Sequence, residues 1–245
     1  MDYLAIKRKK RIKNTIIGVV VVALLGMGLY SYAKSETLFS DYDMTDNDIR
    51  LRSHYNSVEL KVPKSVYFSK VNEAYLTHAY KLQKITVPYV LSRLFIEDCP
   101  KLHELDINNQ VYNMSLIDCE GMKDINIPDL VEIRREDKNY EEMIESLNYT
   151  TSTIYIERCK GLESLSIGEN HFLNFVYDCP KLSSITFSGS IYSVTITGCD
   201  NLSKIYLPDD FTATEIKCDS SVTFVVSQGS GAEQYVIDKG LNYTY

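Results

Sequence analysis

The sequence contains no Trp, and among its 245 residues only 11 are Gly and 6 are Pro. A collagen-like chain, or a disordered chain rich in Pro and Gly, would hold far more of the last two. Nineteen Tyr and an apolar content of 44% are instead typical of a folded protein.

Catalytic and metal-binding motifs are also missing from the sequence. There is no G-x-S-x-G, no H-E-x-x-H and no Gly-rich phosphate loop. No C-x-x-C pair occurs, and the four His share no common spacing. We therefore expect a protein that is not an enzyme and that uses no cofactor and no metal, and no residue is assigned to such a site.

Positive charge is concentrated at the N-terminus. Residues 1–33 hold six basic side chains against one acidic side chain, whereas the whole chain has a net charge of −7, which leaves −12 on the remainder. An acidic remainder repels phosphate backbones, so a nucleic-acid partner is not expected.

Residues 14–33 read NTIIGVVVVALLGMGLYSYA and contain no charged side chain. About 20 apolar residues cross a hydrocarbon core of roughly 30 Å. The cations of residues 1–13 are expected to hold the N-terminus in the cytoplasm, so residues 14–33 are predicted to form one transmembrane helix that anchors an extracytoplasmic protein in the bilayer. A cleaved signal peptide has the same signature, and cleavage after Ala33 would release a secreted protein.

A repeat of about 20 residues runs through most of the remaining chain. Six cysteines mark it at intervals of 20, 40, 20, 20 and 19 residues, namely Cys99, Cys119, Cys159, Cys179, Cys199 and Cys218. Apolar residues recur three, six and eight positions after the first five of them, as Leu102, Leu105 and Ile107 do after Cys99. A fixed period of this length predicts a solenoid, in which each coil buries its inner face against its neighbours.

A second apolar set precedes several of the cysteines, as Leu91, Leu94 and Ile96 precede Cys99, and the two sets together give the pattern L-x-x-L-x-L-x-x-C-x-x-L. Its alternating part predicts a short strand in which Leu94 and Ile96 point inward while Phe95 points outward. The alternating pair after each Cys predicts a second short strand on the opposite wall of the coil. Together they predict a mainly β solenoid of about eight coils.

The C-terminal segment lacks the repeat. Residues 232–239 predict one capping helix, with Ser230 as the N-cap and Gly240 just past the C-terminal end. Repeat arrays need an atypical last unit to cover the core. The expected divisions of the chain are a cytoplasmic tail (1–13), a membrane segment (14–33), a linker (34–57), the solenoid (58–226) and a C-terminal cap (227–245).

The repeat, together with an ending that contains Gly-Ser, Ala-Glu-x-Tyr and Gly-Leu-x-Tyr, resembles the BspA-like family of bacterial leucine-rich-repeat surface proteins. The resemblance covers about residues 58–245. It implies a leucine-rich-repeat solenoid on the bacterial surface, often linked to adhesion or host-matrix contact, and it implies no catalytic residue. The coils of this chain are shorter than the usual unit of the family.

One coil, residues 129–153, departs from the pattern. It fills the 40-residue interval between Cys119 and Cys159, and Asn139 stands in the slot where a Cys is expected. The phase of the array is kept, so we expect either a tolerated irregular coil or a functional protrusion over residues 132–148.

Six cysteines in an exported protein also raise the question of disulfides. Equivalent residues of stacked coils lie about 4.7–4.9 Å apart with parallel Cβ vectors. A disulfide needs Cβ atoms at about 3.5–4.5 Å in a twisted geometry. We therefore expect the six cysteines to form an inward row of free thiols.

Outward positions of the strand before each Cys are candidate ligand-binding residues, namely Phe95, Ile117, Tyr155, Phe175 and Tyr177. If coils stack in phase, the last three form one aromatic patch, which either binds a ligand or stabilises the sheet through cross-strand pairs. We expect a non-enzymatic surface protein that binds a protein or glycan. The alternative is a structural scaffold or partner subunit of a membrane or cell-envelope complex.

Overall fold

The computed structural model describes residues 42–45, 48–51, 57–66, 69–130, 152–219 and 221–245. Strands dominate this part of the chain. The expected membrane segment lies outside the described residues, and no described helix is both long enough and apolar enough to span a bilayer.

One wall of the molecule, the first wall, is a nine-stranded sheet of the described residues. Its strands are β1 (Tyr42–Thr45), β2 (Asp48–Leu51), β6 (Glu73–Thr77), β8 (Leu91–Glu97), β10 (Val111–Ile117), β12 (Thr153–Glu157), β14 (Leu173–Tyr177), β16 (Ser193–Thr197) and β18 (Glu215–Lys217). From β2 onward they pair in parallel, and β1 is the antiparallel partner of β2. Eight parallel strands confirm the expected mainly β solenoid of about eight coils.

The opposite wall, the second wall, confirms the predicted second strand of each coil. It consists of a three-stranded sheet of β3 (Glu59–Lys61), β7 (Lys84–Val87) and β9 (Glu104–Ile107), and a six-stranded sheet of β11 (Asp124–Ile127), β13 (Ser164–Ile167), β15 (Ser184–Phe187), β17 (Lys204–Tyr206), β19 (Thr223–Val225) and β20 (Tyr243–Thr244). A small antiparallel pair, β4 (Ser65–Val66) and β5 (Ser69–Lys70), lies between the strands of one coil.

A residue in the left-handed backbone region ends most strands of the first wall. The dihedral φ is 51–56° at five of these positions and 69° at the sixth, and we call the six the left-handed rim: His78, Asp98, Asp118, Arg158, Asp178 and Gly198. Gly, Asp and His tolerate this region better than most residues. The N–H groups of the first five still extend the ladder, as Asp98 N–H does by donating to the Ile117 carbonyl at 3.0 Å.

The residue that follows each rim residue, a Cys in five coils and Ala79 in the sixth, begins a tight turn. The Leu102 N–H donates to the Cys99 carbonyl at 3.0 Å, and the Leu162 N–H donates to the Cys159 carbonyl at the same distance. This bond between residues i and i+3 is that of a β-turn. It fixes the spacing of the Cys and the Leu, and all four side chains are buried in the core.

The irregular segment is not a coil of the stack. β10 pairs directly with β12, and β11 pairs directly with β13, both in phase. The coils of Cys119 and Cys159 are therefore immediate neighbours, and the expectation that a phase-keeping coil with Asn139 lies between them is wrong. One repeat length of extra sequence separates the two coils along the chain, and residues 131–151 lie outside the described residues.

The ends of the array differ in part from the expected divisions. β1 and β2 lie inside the range expected to be a linker, 34–57, so the first wall begins before residue 58. The capping helix α1 (Gly231–Asp238) is confirmed: Ser230 Oγ accepts from the Glu233 N–H at 3.0 Å, and Gly240 has φ of 65°. The expected protrusion over residues 132–148 lies outside the described residues.

Candidate functional site

In-phase pairing arranges the outward side chains of the first wall in rows. The row through the middle of the strands, the central row, contains Tyr75, Phe95, Ser115, Tyr155, Phe175 and Thr195, each paired with the next. Ser115 divides the aromatic residues of this row into two groups.

One of these groups, Tyr155 and Phe175, forms the ring cluster together with Tyr177 of the adjacent row. The ring centroids are 6.3 Å apart for Tyr155 and Phe175, 5.7 Å for Tyr155 and Tyr177, and 6.1 Å for Phe175 and Tyr177. The expected aromatic patch is thus present, with all three side chains half-buried on the outer side of the sheet.

Phe95 does not join the ring cluster. Its ring lies 6.0 Å from that of Tyr75, on the other side of Ser115. The sequence analysis missed Tyr75, although it stands 20 residues before Phe95, because its coil carries Ala79 in the Cys slot. The hydroxyl of Tyr75 donates to Glu73 at 2.6 Å.

Ile117 lies between the two aromatic groups, one row closer to the rim. It pairs with Glu97 on one side and with Glu157 on the other, and its side chain is half-buried. It therefore supplies apolar surface next to two carboxylates.

A charge network borders the ring cluster. The Tyr155 hydroxyl donates to Glu157 at 2.8 Å, and this hydrogen bond raises the pKa of Tyr155. Arg158 contacts Glu157 and also donates to both carboxylate oxygens of Asp118, at 2.8 Å each. The guanidinium lowers the pKa of Asp118, so Asp118 stays ionised and paired at neutral pH.

Two other positions of the left-handed rim differ in their partners. His78 Nδ1 lies 2.8 Å from Asp98 Oδ2, to which the Tyr80 hydroxyl also donates at 2.9 Å. Asp178 is exposed and has no ion pair in the part of the chain that the structure describes. Its carboxylate faces Gly198, where an added Cβ would overlap Asp178 Oδ1.

Phe172 and Tyr192 form a further aromatic pair that the sequence analysis missed. Their rings stack with centroids 4.1 Å apart and an interplanar angle of 8°. Each residue directly precedes a strand of the first wall, and the Tyr192 side chain is 46% exposed. Their 20-residue spacing was a usable signal, but the alternation rule assigns this position to neither face.

The thiol row is confirmed for five of the six cysteines. None of the six forms a disulfide, and the first four are buried, whereas Cys199 is half-buried. The thiols of the row donate to backbone carbonyls, as Cys159 Sγ does to the Leu116 carbonyl at 3.6 Å. The contact with Cys159 raises the pKa of Cys179 to about 12, and a thiol that is this protonated is a poor nucleophile. Burial of four of the five thiols makes the row a packing feature.

Cys218 does not belong to the row. The Val222 N–H donates to the Asp219 carbonyl at 3.2 Å, as the Leu202 N–H donates to the Cys199 carbonyl at 2.9 Å. Asp219 therefore holds the turn position, and Cys218 precedes it, as its 19-residue interval indicates. Burial raises the pKa of the half-buried Cys218 thiol.

The buried side chain of His171 contacts described residues on both sides of the segment 131–151. His171 Nε2 lies 3.0 Å from the Pro128 carbonyl oxygen, and Nδ1 lies 3.2 Å from Ser152 Oγ. A carbonyl only accepts, so Nε2 carries the proton and Nδ1 accepts from Ser152. Burial lowers the pKa of His171. Close by in sequence, the buried Asn174 Oδ1 has no hydrogen-bond partner.

No cluster of three or more His, Cys, Asp or Glu side chains that could hold a metal ion occurs among the described residues. Models of protein families, curated proteins and solved structures give no match to the chain. Its class is therefore defined by its own geometry, as a parallel β-solenoid that presents rings and carboxylates on one wall.

Proposed function

We propose that this chain is a non-enzymatic surface protein that binds a protein or glycan through the ring cluster. The supporting observation is that Tyr155, Phe175 and Tyr177 contact one another on the outer side of an in-phase sheet. Adjacent aromatic side chains on a rigid surface are favoured anchors at binding interfaces, since they bury a large area at a small entropic cost.

Stacking of the coils does not require these rings. Ser115 and Thr195 occupy the same row on either side, and their strands pair in the same register without an aromatic side chain. The inner side of β12 is already filled by Ile154 and Ile156, which are fully buried. The rings are thus available for a role other than holding the sheet together.

We further propose that the solenoid is a leucine-rich-repeat domain of the BspA-like kind, held at the outer face of the cell membrane. The repeated Leu and Cys positions and the capping helix support the first part of this proposal. The uncharged segment 14–33, preceded by six cations, supports the second. A membrane-fraction assay with and without residues 14–33 tests it: anchoring requires that the full chain, and not the shortened one, sediments with membranes.

The binding role is tested with a panel of surface proteins and glycans probed with the full chain. The test variant carries Tyr155→Ser, Phe175→Ser and Tyr177→Ser. The matched control carries Tyr206→Ser and Tyr243→Ser, which remove exposed tyrosines of the second wall.

The proposal requires that the test variant loses the ligands bound by the wild-type chain while the control keeps them. A loss of at least tenfold in affinity is expected, because removal of a single anchor ring typically costs more than about 1–2 kcal/mol. Equal binding by all three proteins would reject the ring cluster as the site. Binding by none would favour the scaffold role.

A further inference from the structure

Residues of the left-handed rim form two side-chain pairs between neighbouring coils, each with one carboxylate. At a third pair of rim positions the carboxylate has no partner side chain among the described residues. In the first pair, His78 meets the carboxylate of Asp98 in the next coil. In the second, Asp118 meets Arg158 in the next coil. In the third, the Asp178 carboxylate meets a glycine in the next coil.

The second pair shows what the rim accommodates. Nε and Nη2 of Arg158 each lie 2.8 Å from one carboxylate oxygen of Asp118. This two-point contact is the geometry in which a guanidinium recognises a carboxylate, and an ammonium cannot reproduce it. The same guanidinium reaches Glu157, which accepts from the Tyr155 hydroxyl.

The third place has the carboxylate but lacks the cation. Asp178 and Gly198 are both exposed, and Asp178 Oδ1 lies over Gly198, at the position that a Cβ of residue 198 would fill. Asp178 directly follows Tyr177, whose ring stacks on that of Phe175 at 6.1 Å and 26°. An unpaired carboxylate thus lies at the border of the ring cluster.

We propose that this place binds an arginine side chain of a partner protein, whose guanidinium pairs with Asp178 above Gly198 and lies beside the Tyr177 ring. The inference rests on the proposed binding function and names the chemistry of the partner. Guanidinium groups both stack on aromatic rings and pair with carboxylates. A neutral glycan supplies no such charge and would leave Asp178 unpaired.

The charge of the chain favours the same partner. The part after residue 33 has a net charge of −12, and a field of this sign raises the rate at which a cationic segment arrives. The partner surface is therefore expected to be basic, with one arginine beside Asp178 and apolar contacts to the rings.

The test uses the full chain and fluorescein-labelled peptides that place Arg, citrulline or Lys at the centre of one Ser/Thr/Gly sequence with a flanking Tyr. Citrulline keeps the shape of arginine and removes the charge. Fluorescence anisotropy is measured for the wild-type chain, for Asp178→Asn and for Asp200→Asn. Asp200 is a second exposed acid, two residues after Gly198, so it controls for net charge.

The wild-type chain should bind the arginine peptide about tenfold more tightly than the citrulline peptide, since hydrogen bonds between charged groups are the strong ones. Asp178→Asn should remove this preference, because a neutral amide no longer forms a charged pair with the guanidinium. Asp200→Asn should keep it.

Equal binding of the arginine and citrulline peptides, no binding of either, or the same loss in Asp200→Asn as in Asp178→Asn would overturn the proposal. Its failure is separable from failure of the binding function. If Asp178→Asn retains every ligand of the surface panel and the ring-cluster variant loses them, the ring cluster is the binding site and Asp178 is not part of it.

Discussion

The two walls of the solenoid share one interior and differ on the outside. Inward residues of both walls are apolar and buried, as Ile156 of β12 and Ile185 of β15 are. Outward residues of the first wall include the ring cluster and its bordering acids, whereas β13 and β15 of the second wall present small hydroxyl side chains such as Ser164, Ser166 and Thr186. The repeat therefore specifies the stack, and the outer rows are free to carry a function.

The largest expected effect is the difference in free energy of unfolding between inward and outward substitutions. Ile156→Ala and Ile185→Ala should each lower the free energy of unfolding by about 2–5 kcal/mol, because each leaves a cavity in the stacked core. The adjacent outward changes Tyr155→Ser and Thr186→Ser should cost about 1 kcal/mol or less. Urea unfolding of all four variants measures the difference. Equal losses inside and outside would mean that the outer rows help to hold the stack.

The next effect concerns His171, which contacts Pro128 after a strand of the second wall and Ser152 before a strand of the first wall. His171→Leu leaves the Pro128 carbonyl and the Ser152 hydroxyl without their partner, so it should cost about 2–3 kcal/mol at neutral pH. Urea midpoints of this variant and of His171→Gln measure it, since Gln restores a donor and an acceptor. Identical midpoints for Leu, Gln and wild type would show that the contact does not stabilise the fold.

The same histidine predicts a pH dependence. Burial lowers the pKa of His171 below its ordinary value of 6.5, so the unfolded chain binds the proton more readily than the folded chain. The stability that the neutral imidazole contributes is complete above about pH 6.5 and decreases as the pH falls toward the folded pKa. Unfolding curves at pH 7.5 and below pH 6 should show a smaller decrease for His171→Gln than for the wild type. Parallel decreases would assign the effect to other groups.

A smaller effect of opposite sign is expected inside the first wall. Asn174 occupies an inward position that Ile154 and Val194 fill in the neighbouring coils, and its Oδ1 is buried without a partner. Asn174→Val should therefore stabilise the protein by about 1 kcal/mol, since it removes an unsatisfied acceptor at the expense of the amide hydrogen bonds to the Ser193 carbonyl and, at 3.5 Å, to the His171 carbonyl. A lower midpoint than wild type would indicate that the amide has a partner in solution.

Much of this architecture could be predicted because the stack repeats a one-dimensional signal. The 20-residue spacing gave both walls, the inward and outward sides of each strand, the thiol row and the contact of Tyr155 with Phe175 and Tyr177. The capping helix followed from local rules for Ser, Gly and helix ends.

The remainder depended on which coils are neighbours. An inserted length of one full repeat keeps the spacing of Cys119 and Cys159 unchanged, so the sequence pattern cannot tell an extra coil from an excluded segment. The position of Cys218 was missed for a related reason, since the chain before β18 is longer and the turn after it begins at Asp219. The rim was missed because a left-handed conformation leaves only a weak preference for Asp and Gly.

The direct stacking of the Cys119 coil on the Cys159 coil is the central claim, because it brings the outer rows of the first wall together. Deletion of residues 131–150 joins Leu130 to Thr151 and leaves the two cysteines one repeat apart. Urea unfolding of this variant tests whether the two coils stack directly on each other. We predict a cooperative transition with a midpoint at or slightly above that of the wild type, since the deletion removes none of the residues of the described stack. Loss of the cooperative transition, or aggregation, would mean that the deleted residues complete the core, and would contradict the account.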